Sequence, residues 1–314
     1  MNGHAVGVRI PYVQVPVRVR RWVESRLGGA VVDVVDCVGG MSPGPAARVR
    51  AATGARAFVK GCGVDLHPDT PGLLRDEGRV LAALPEHPSL PRLLDVHDDG
   101  DWVVLLIEDL PGAPPPAPWR TADLLRFGEA LAALRPVLDE VQLEGLPAAR
   151  ESSPIFLTRW RELAGRLDLV DPWWAAHHDA LAAHAERAAD LIAGDAVVHW
   201  DIRADNVVLT PDRTVLVDWG QARRGAPWMD HALLALDCSM TGSEISTADR
   251  AAADPVLRDH DPADLLALAS AVAMAFVSRS TQPASPALPT MPATCARWAE
   301  GLRPYLADAL VRAR

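Results

Sequence analysis

The sequence predicts an α+β fold with a small β-rich lobe, a hinge and a larger, mainly helical lobe. Three observations carry this. Residues 1–109 hold Val-rich runs at 31–38, 46–52 and 56–60, each followed by a Gly-containing turn, and a hairpin pattern at 92–108. A proline-rich stretch, "DLPGAPPPAPW" (109–119), then reads as a linker or hinge. Beyond it the apolar spacing turns helical, with one short β insertion at 197–220. The division expected is therefore 1–109 and 110–314.

The elements follow in order. Residues 16–28 predict a helix closed by glycine, and 71–84 a second helix with Pro71 in its first turn and Pro85 stopping it. The 92–108 segment turns at Asp99-Gly100, a favoured hairpin pair. Helices are then expected at 121–139, 157–167, 173–193, 228–239, 261–279 and 293–312. A Pro-rich loop, 281–292, precedes the last helix, and no internal repeat is evident.

Composition excludes some function classes. The net charge of -10 argues against a nucleic-acid backbone or an anionic membrane as main partner. Cys37, Cys62, Cys238 and Cys295 are scattered, without CxxC spacing, and read as reduced thiols of a cytoplasmic protein. The N-terminal residues show no signal-peptide pattern, and the apolar stretch 265–277 is too short to span a bilayer, so it reads as a buried helix. Among 31 basic residues Lys60 is the only lysine, and Asn206 is the only asparagine besides Asn2. In a chain that uses arginine wherever either cation serves, a lone lysine marks a position that needs a compact point charge rather than a fork.

The segment "VVHWDIRADNVVLTPDRTVLVDWG" (197–220) concentrates polar groups beside buried-looking strands. A hairpin pairing Leu209 with Thr214 and Asn206 with Val217 brings Asn206 and Asp218 out at one end. Two hard oxygen donors suit a Mg2+ ion whose other ligands are water and phosphate. Asp201, on the loop entering the hairpin, is a carboxylate able to accept a proton from a substrate hydroxyl, and Arg203 is a candidate to neutralise phosphate charge. In the first lobe, Glu77 lies on an apolar helical stripe with Leu73, Val80, Leu81 and Leu84. A buried carboxylate requires a cation, and Lys60, one strand earlier, is the natural partner. The Gly-rich loop 38–49 suits phosphate approach by backbone N–H groups, although an ordinary hairpin turn explains it equally well.

These motifs together resemble the aminoglycoside phosphotransferase family, a branch of the protein-kinase-like fold that includes choline, homoserine and other small-molecule kinases. "HWDIRADN" resembles the family's catalytic-loop pattern HxDxxxxN, "VDWG" its metal-binding segment, and Asp230 a further aspartate that follows it. The resemblance covers roughly residues 30–240. It implies a bilobal protein-kinase-like fold and an EC 2.7.1-like transfer of the γ-phosphate of ATP or GTP to a hydroxyl. It implies Asp201 as base, Arg203 near the transferred phosphate, and Mg2+ on Asn206 and Asp218. It implies Lys60 on the α- and β-phosphates, oriented by Glu77, with Ser42 at the β-phosphate. The hinge 107–110, through Glu108 and Leu110, would present backbone groups to the purine. His199 and Asp230 would brace the loop.

The chain also departs from the family pattern. Pro43 and Pro45 stiffen the glycine loop, Trp200 and Trp219 replace the usual residues of the two motifs, and the last residues lack an acidic terminus, which puts aminoglycosides in doubt as acceptor. Acidic residues from Asp230 to Asp264 give a weak preference for a small cationic acceptor: an amino sugar, aminoglycoside-like antibiotic or amino alcohol. The alternatives are a nucleotide-binding pseudokinase, opposed by intact Lys60, Asp201, Asn206 and Asp218, and a protein kinase, opposed by the lack of a long activation segment after Asp218.

Overall fold

A computed structural model of the chain describes residues 9–37, 42–286 and 288–313. In chain order the elements are α1 Val17–Leu27, β1 Val31–Asp36, β2 Ala46–Ala51, β3 Arg56–Gly63, α2 Thr70–Ala83, β4 Leu93–Asp98, β5 Trp102–Ile107 and α3 Thr121–Asp139. They continue with α4 Ala149–Ser152, α5 Pro172–Ala185, α6 Ala188–Leu191, β6 Ala196–Val198, β7 Val207–Leu209, β8 Thr214–Leu216 and β9 Arg223–Gly225. The last four are α7 Met229–Thr241, α8 Thr247–Ala253, α9 Pro262–Ser280 and α10 Met291–Arg312.

Two compact units emerge: one of residues 5–114 with 205–221, the other essentially 115–204 with 222–314. The sequence expectation placed all of 110–314 in one lobe. The structure groups 205–221 with the first unit, because that hairpin bonds into it. Ala113 and Leu209 exchange backbone hydrogen bonds of 3.2 and 2.9 Å, and Leu216 N–H donates to Ser89 O at 2.9 Å.

The first unit is an antiparallel sheet of order β1-β2-β3-β5-β4. One face packs on Val19, Val23 and Leu27 of α1 through Val49, Val59, Val104 and Leu106. The other face meets α2, where Gly78 is in close contact with Leu105. With both faces covered, β5 reads as an unbroken apolar run, and all six of its residues are buried. The β4–β5 turn is closed by Asp99, whose Oδ1 accepts from Trp102 N–H at 2.8 Å, with Gly100 at φ 88°. The buried stripe of α2 runs through Leu74, Glu77, Val80 and Leu81; Leu73, expected on it, is exposed.

The second unit is a helical core built on α5, α7, α9 and α10, in which Leu181, Leu236, Leu268, Met274, Leu302 and Leu306 are buried together. Helix α9 is long and apolar enough to cross a membrane by length and composition, and 72% of its apolar window is buried inside this core. The helix expected at 157–167 forms instead as a π turn at Ile155–Arg159 and a 3-10 stretch at Arg161–Leu169, broken by non-helical Arg166 (φ -140°). The helix expected at 173–193 is split into α5 and α6. All four cysteines are free thiols.

Candidate active site

Lys60 sits near the middle of β3, paired with Ala46 on one side and Leu105 on the other. Its Nζ donates to Glu77 Oε2 at 2.6 Å and to Asp218 Oδ1 at 2.8 Å. The ammonium and Glu77 are nearly inaccessible (12% and 3% exposed), while Asp218 is 43% exposed. Burial by itself depresses the Lys60 ammonium. The Asp218 and Glu77 carboxylates and their hydrogen bonds override it and hold it above the ordinary lysine value. Glu77 is pushed up, to about 7, first by burial and then by Asp218, against the pull of Lys60.

Asp218 has φ 67°, in the left-handed region that a side chain with Cβ adopts only at a cost. The next residue fixes it there. Trp219 is fully buried, and its Nε1–H donates to Leu216 O at 2.9 Å. Gly220 runs close under α2, 3.3 Å from Leu73 O as measured from an added Cβ. The β7–β8 register is the expected one: Leu209 pairs with Thr214, and Val217 N–H donates to Asn206 O at 2.8 Å. Asn206, just before β7, and Asp218, just after β8, therefore flank the open end of one hairpin. Among the described residues no group of three or more His, Cys, Asp or Glu gathers as a metal site. One amide and one carboxylate, as here, fit a hard ion that takes its other ligands from phosphate and water.

The other residues expected on the nucleotide side lie in the same unit. Ser42 is half-buried at the start of the described part of the loop; residues 38–41, the glycine-rich part, lie outside the described residues. Pro45 O accepts from Gly61 N–H at 3.2 Å, and a Cβ on Gly44 would fall 1.7 Å from Gly61 O, so only glycine permits this approach of loop to strand. Glu108 is spent as a side chain: it accepts from Arg213 (3.0 and 3.3 Å) and from Arg92 N–H (3.0 Å), and its own backbone N–H donates to Arg92 O at 3.0 Å. Asp109 next to it holds Arg48 at 2.5 Å and Arg56 at 2.6 Å, tying the hinge to β2 and β3. Leu110 O accepts from Gly112 N–H at 2.8 Å, closing a tight turn before Ala113.

In the second unit, Asp230 at the start of α7 braces the turn at His199-Trp200-Asp201. Its two carboxylate oxygens accept from the backbone N–H groups of His199 (2.8 Å) and Trp200 (2.9 Å). His199, fully buried, accepts from Asp201 N–H at 3.3 Å through Nδ1. Trp200 carries φ 73° and lays its ring edge-on to Phe156, centroids 5.5 Å apart. Asp201 emerges from this braced turn 25% exposed, with Arg203 Nη1 at 3.0 Å from its Oδ1. The pair sets a hydrogen-bond acceptor and a cation side by side.

The acidic run is mostly used internally. Besides Asp230, Asp237 accepts from Trp119 Nε1–H (2.7 Å), and Asp254 holds Arg250 (2.6 Å) and His231 (2.9 Å), all in the interior. Asp261 caps α9, and Asp264 pairs with Arg187 at 2.8 Å. Trp174 is core, its indole N–H donating to Glu300 at 2.7 Å. Sequence reasoning missed Arg213 and Asp109 as anchors of the hinge, and Arg9, whose Nη1 donates to Gly44 O at 3.2 Å. Nothing in the local sequence around these three marks them.

The sequence model of the phosphotransferase enzyme family matches residues 22–266. No curated protein matches the chain. Among solved structures, a thermostable mutant of aminoglycoside phosphotransferase APH(4)-Ia, in ternary complex with AMP-PNP and hygromycin B, aligns over 94% of this chain and 99% of its own, with TM-score 0.63 and 14% identity. Spectinomycin phosphotransferase APH(9)-Ia in its AMP-bound complex aligns over 93% of both chains, with TM-score 0.55 and 10% identity. A choline/ethanolamine kinase family protein from Mesorhizobium loti aligns over 89% of this chain and 91% of its own, with TM-score 0.55 and 16% identity. These likenesses establish the α+β, protein-kinase-like fold.

Proposed function

The chain belongs to the phosphotransferase enzyme family, and we propose that it transfers the γ-phosphate of ATP or GTP to a hydroxyl of a small molecule. The observation that carries this reading is the setting of the only lysine, gripped at 2.6 and 2.8 Å by Glu77 and Asp218 on a rigid sheet. A buried cation with two carboxylates is costly to maintain as mere structure. It fits a site built to receive phosphates.

In this mechanism Lys60 holds α- and β-phosphate oxygens, and Glu77 keeps the ammonium charged and in place. Asn206 and Asp218 would hold Mg2+, which when bound neutralises phosphate charge. Asp201 orients the acceptor hydroxyl and takes its proton as the oxygen bonds to the γ-phosphorus and the bond to the departing nucleoside diphosphate breaks. Arg203, 3.0 Å from Asp201, fixes that carboxylate and offers positive charge to the group in transfer. Catalysis of this kind is mainly positioning and charge neutralisation, which suits residues held by a braced turn and a short hairpin.

The acceptor is proposed only as a small hydroxyl compound. With Asp230, Asp237, Asp254, Asp261 and Asp264 engaged internally, a cationic acceptor draws its support from the net charge of -10. A cytoplasmic setting is proposed from the four free thiols. The test is Mg2+-dependent phosphate transfer from ATP or GTP to a panel of aminoglycosides, amino sugars, amino alcohols and neutral polyols, read by mass spectrometry. Asp201→Asn is expected to lower transfer by about 10²-fold or more while nucleotide affinity holds within about twofold. Transfer by Asp201→Asn at the parent rate would refute the assignment of the base.

A further inference from the structure

Arg9 precedes every motif that points to the site, yet its side chain lies beside the phosphate-side loop. Arg9 Nη1 donates to Gly44 O at 3.2 Å, and the next residue, Ile10, donates its N–H to Pro43 O at 3.1 Å. Residues 9 and 10 therefore run along the Pro43–Gly44 stretch. That stretch is pressed onto β3 at Gly61, immediately after Lys60. Burial pulls the Arg9 guanidinium below the ordinary arginine value, against the pull of the Asp218 carboxylate. A guanidinium keeps its proton throughout, so the consequence is a partly desolvated fixed positive charge held beside the Pro43–Gly44 stretch, under the electrostatic pull of Asp218.

A desolvated charge of this kind strengthens its grip on any anion that enters. Lysine offers phosphate a point charge; arginine offers a planar fork that binds two oxygens at once. The loop Arg9 clasps and the Asp218 carboxylate it senses are both assigned above to the phosphate end of the nucleotide, so this inference rests on the phosphotransferase reading. We propose that Arg9 is a second phosphate-binding cation of the site, its guanidinium gripping the β- and γ-phosphate oxygens alongside Lys60.

The test is calorimetric binding of Mg2+ with AMP-PNP, ADP and AMP to the full chain, for the parent, Arg9→Ala, Arg9→Gln and Arg9→Lys. Glutamine retains a donor for Gly44 O without the charge, so it separates phosphate binding from bracing of the loop. Arg9→Ala and Arg9→Gln are each expected to lose about 10–100-fold in affinity for AMP-PNP, the range of a charged hydrogen-bonded contact. AMP affinity is expected to stay within about twofold, and Arg9→Lys to recover part of the loss. Parent-like AMP-PNP affinity in Arg9→Gln, or equal losses for AMP and AMP-PNP, overturns the proposal. A parent protein that binds none of the three nucleotides sinks the phosphotransferase reading and this inference with it, whereas parent binding with an indifferent Arg9→Gln sinks this inference alone.

Discussion

Replacing Asp230 by alanine removes two hydrogen bonds at once. Its carboxylate, 1% exposed, accepts from His199 N–H at 2.8 Å and Trp200 N–H at 2.9 Å. Hydrogen bonds to a charged partner contribute about 1.5–3 kcal/mol each, and a buried donor left unmet costs its desolvation. The two together set an expected loss of about 3–6 kcal/mol. A further consequence follows from Trp200, whose φ of 73° costs about 1–2 kcal/mol in a residue with a large side chain and persists only while its N–H is held. Without that restraint the turn relaxes, and Asp201 leaves its position beside Arg203. Asp230→Asn keeps one acceptor but points an N–H at the other donor, so about half the loss is expected. The assays are urea denaturation followed by tryptophan fluorescence, and nucleotide binding by calorimetry. Binding is expected to hold within about twofold, because Lys60, Glu77, Asn206 and Asp218 belong to the other unit. Phosphate transfer is expected to fall about 10²-fold through misplacement of the base. A loss of stability under about 0.5 kcal/mol, or full transfer activity in a folded Asp230→Ala, refutes the bracing argument.

Two further predictions follow from the same structure. Lys60→Arg keeps the charge but places a wide fork in a slot cut for an ammonium 2.6 Å from Glu77 and 2.8 Å from Asp218; transfer is expected to fall about 10²-fold or more in a folded protein, and a parent-like kcat/KM removes the case for a lysine-specific site. Burial raises the Asp109 carboxyl, but Arg48 and Arg56 override it and hold it below the usual carboxylate range. A folded-state value below the unfolded one contributes stability above the unfolded value of about 3.9 and loses it as pH falls through the folded value. Asp109→Asn is thus expected to be less stable than the parent at pH 7, with the gap closing below about pH 4; a gap independent of pH in denaturation midpoints contradicts the ion-pair account.

Two arrangements were legible in the sequence: the pairing of Lys60 with Glu77, because a polar group in apolar surroundings needs a partner, and the hairpin register that sets Asn206 against Val217 next to Asp218, because motif residues spaced along one hairpin leave few arrangements open. Local patterns also placed the five-stranded sheet and most long helices. Along α2 the buried stripe Glu77, Val80 and Leu81 is the expected one, but Leu74 and not Leu73 begins it, because positions three and four before Glu77 both lie near its face until packing chooses. The acidic run from Asp230 onward looked like a face for a cation, and only the interior positions of Asp237 and Asp254 showed it to be internal pairing.

By itself, then, the sequence determined which charged groups the protein places among apolar residues, and the short-range order in which they come. The tertiary structure alone decided which distant residues meet them. Arg9 reaches Gly44 across 35 residues, Arg213 reaches Glu108 across 105, and Trp119 reaches Asp237 across 118. A contact over such a span leaves no periodic trace in the sequence, because its geometry is set by the packing of whole elements and not by any neighbour along the chain.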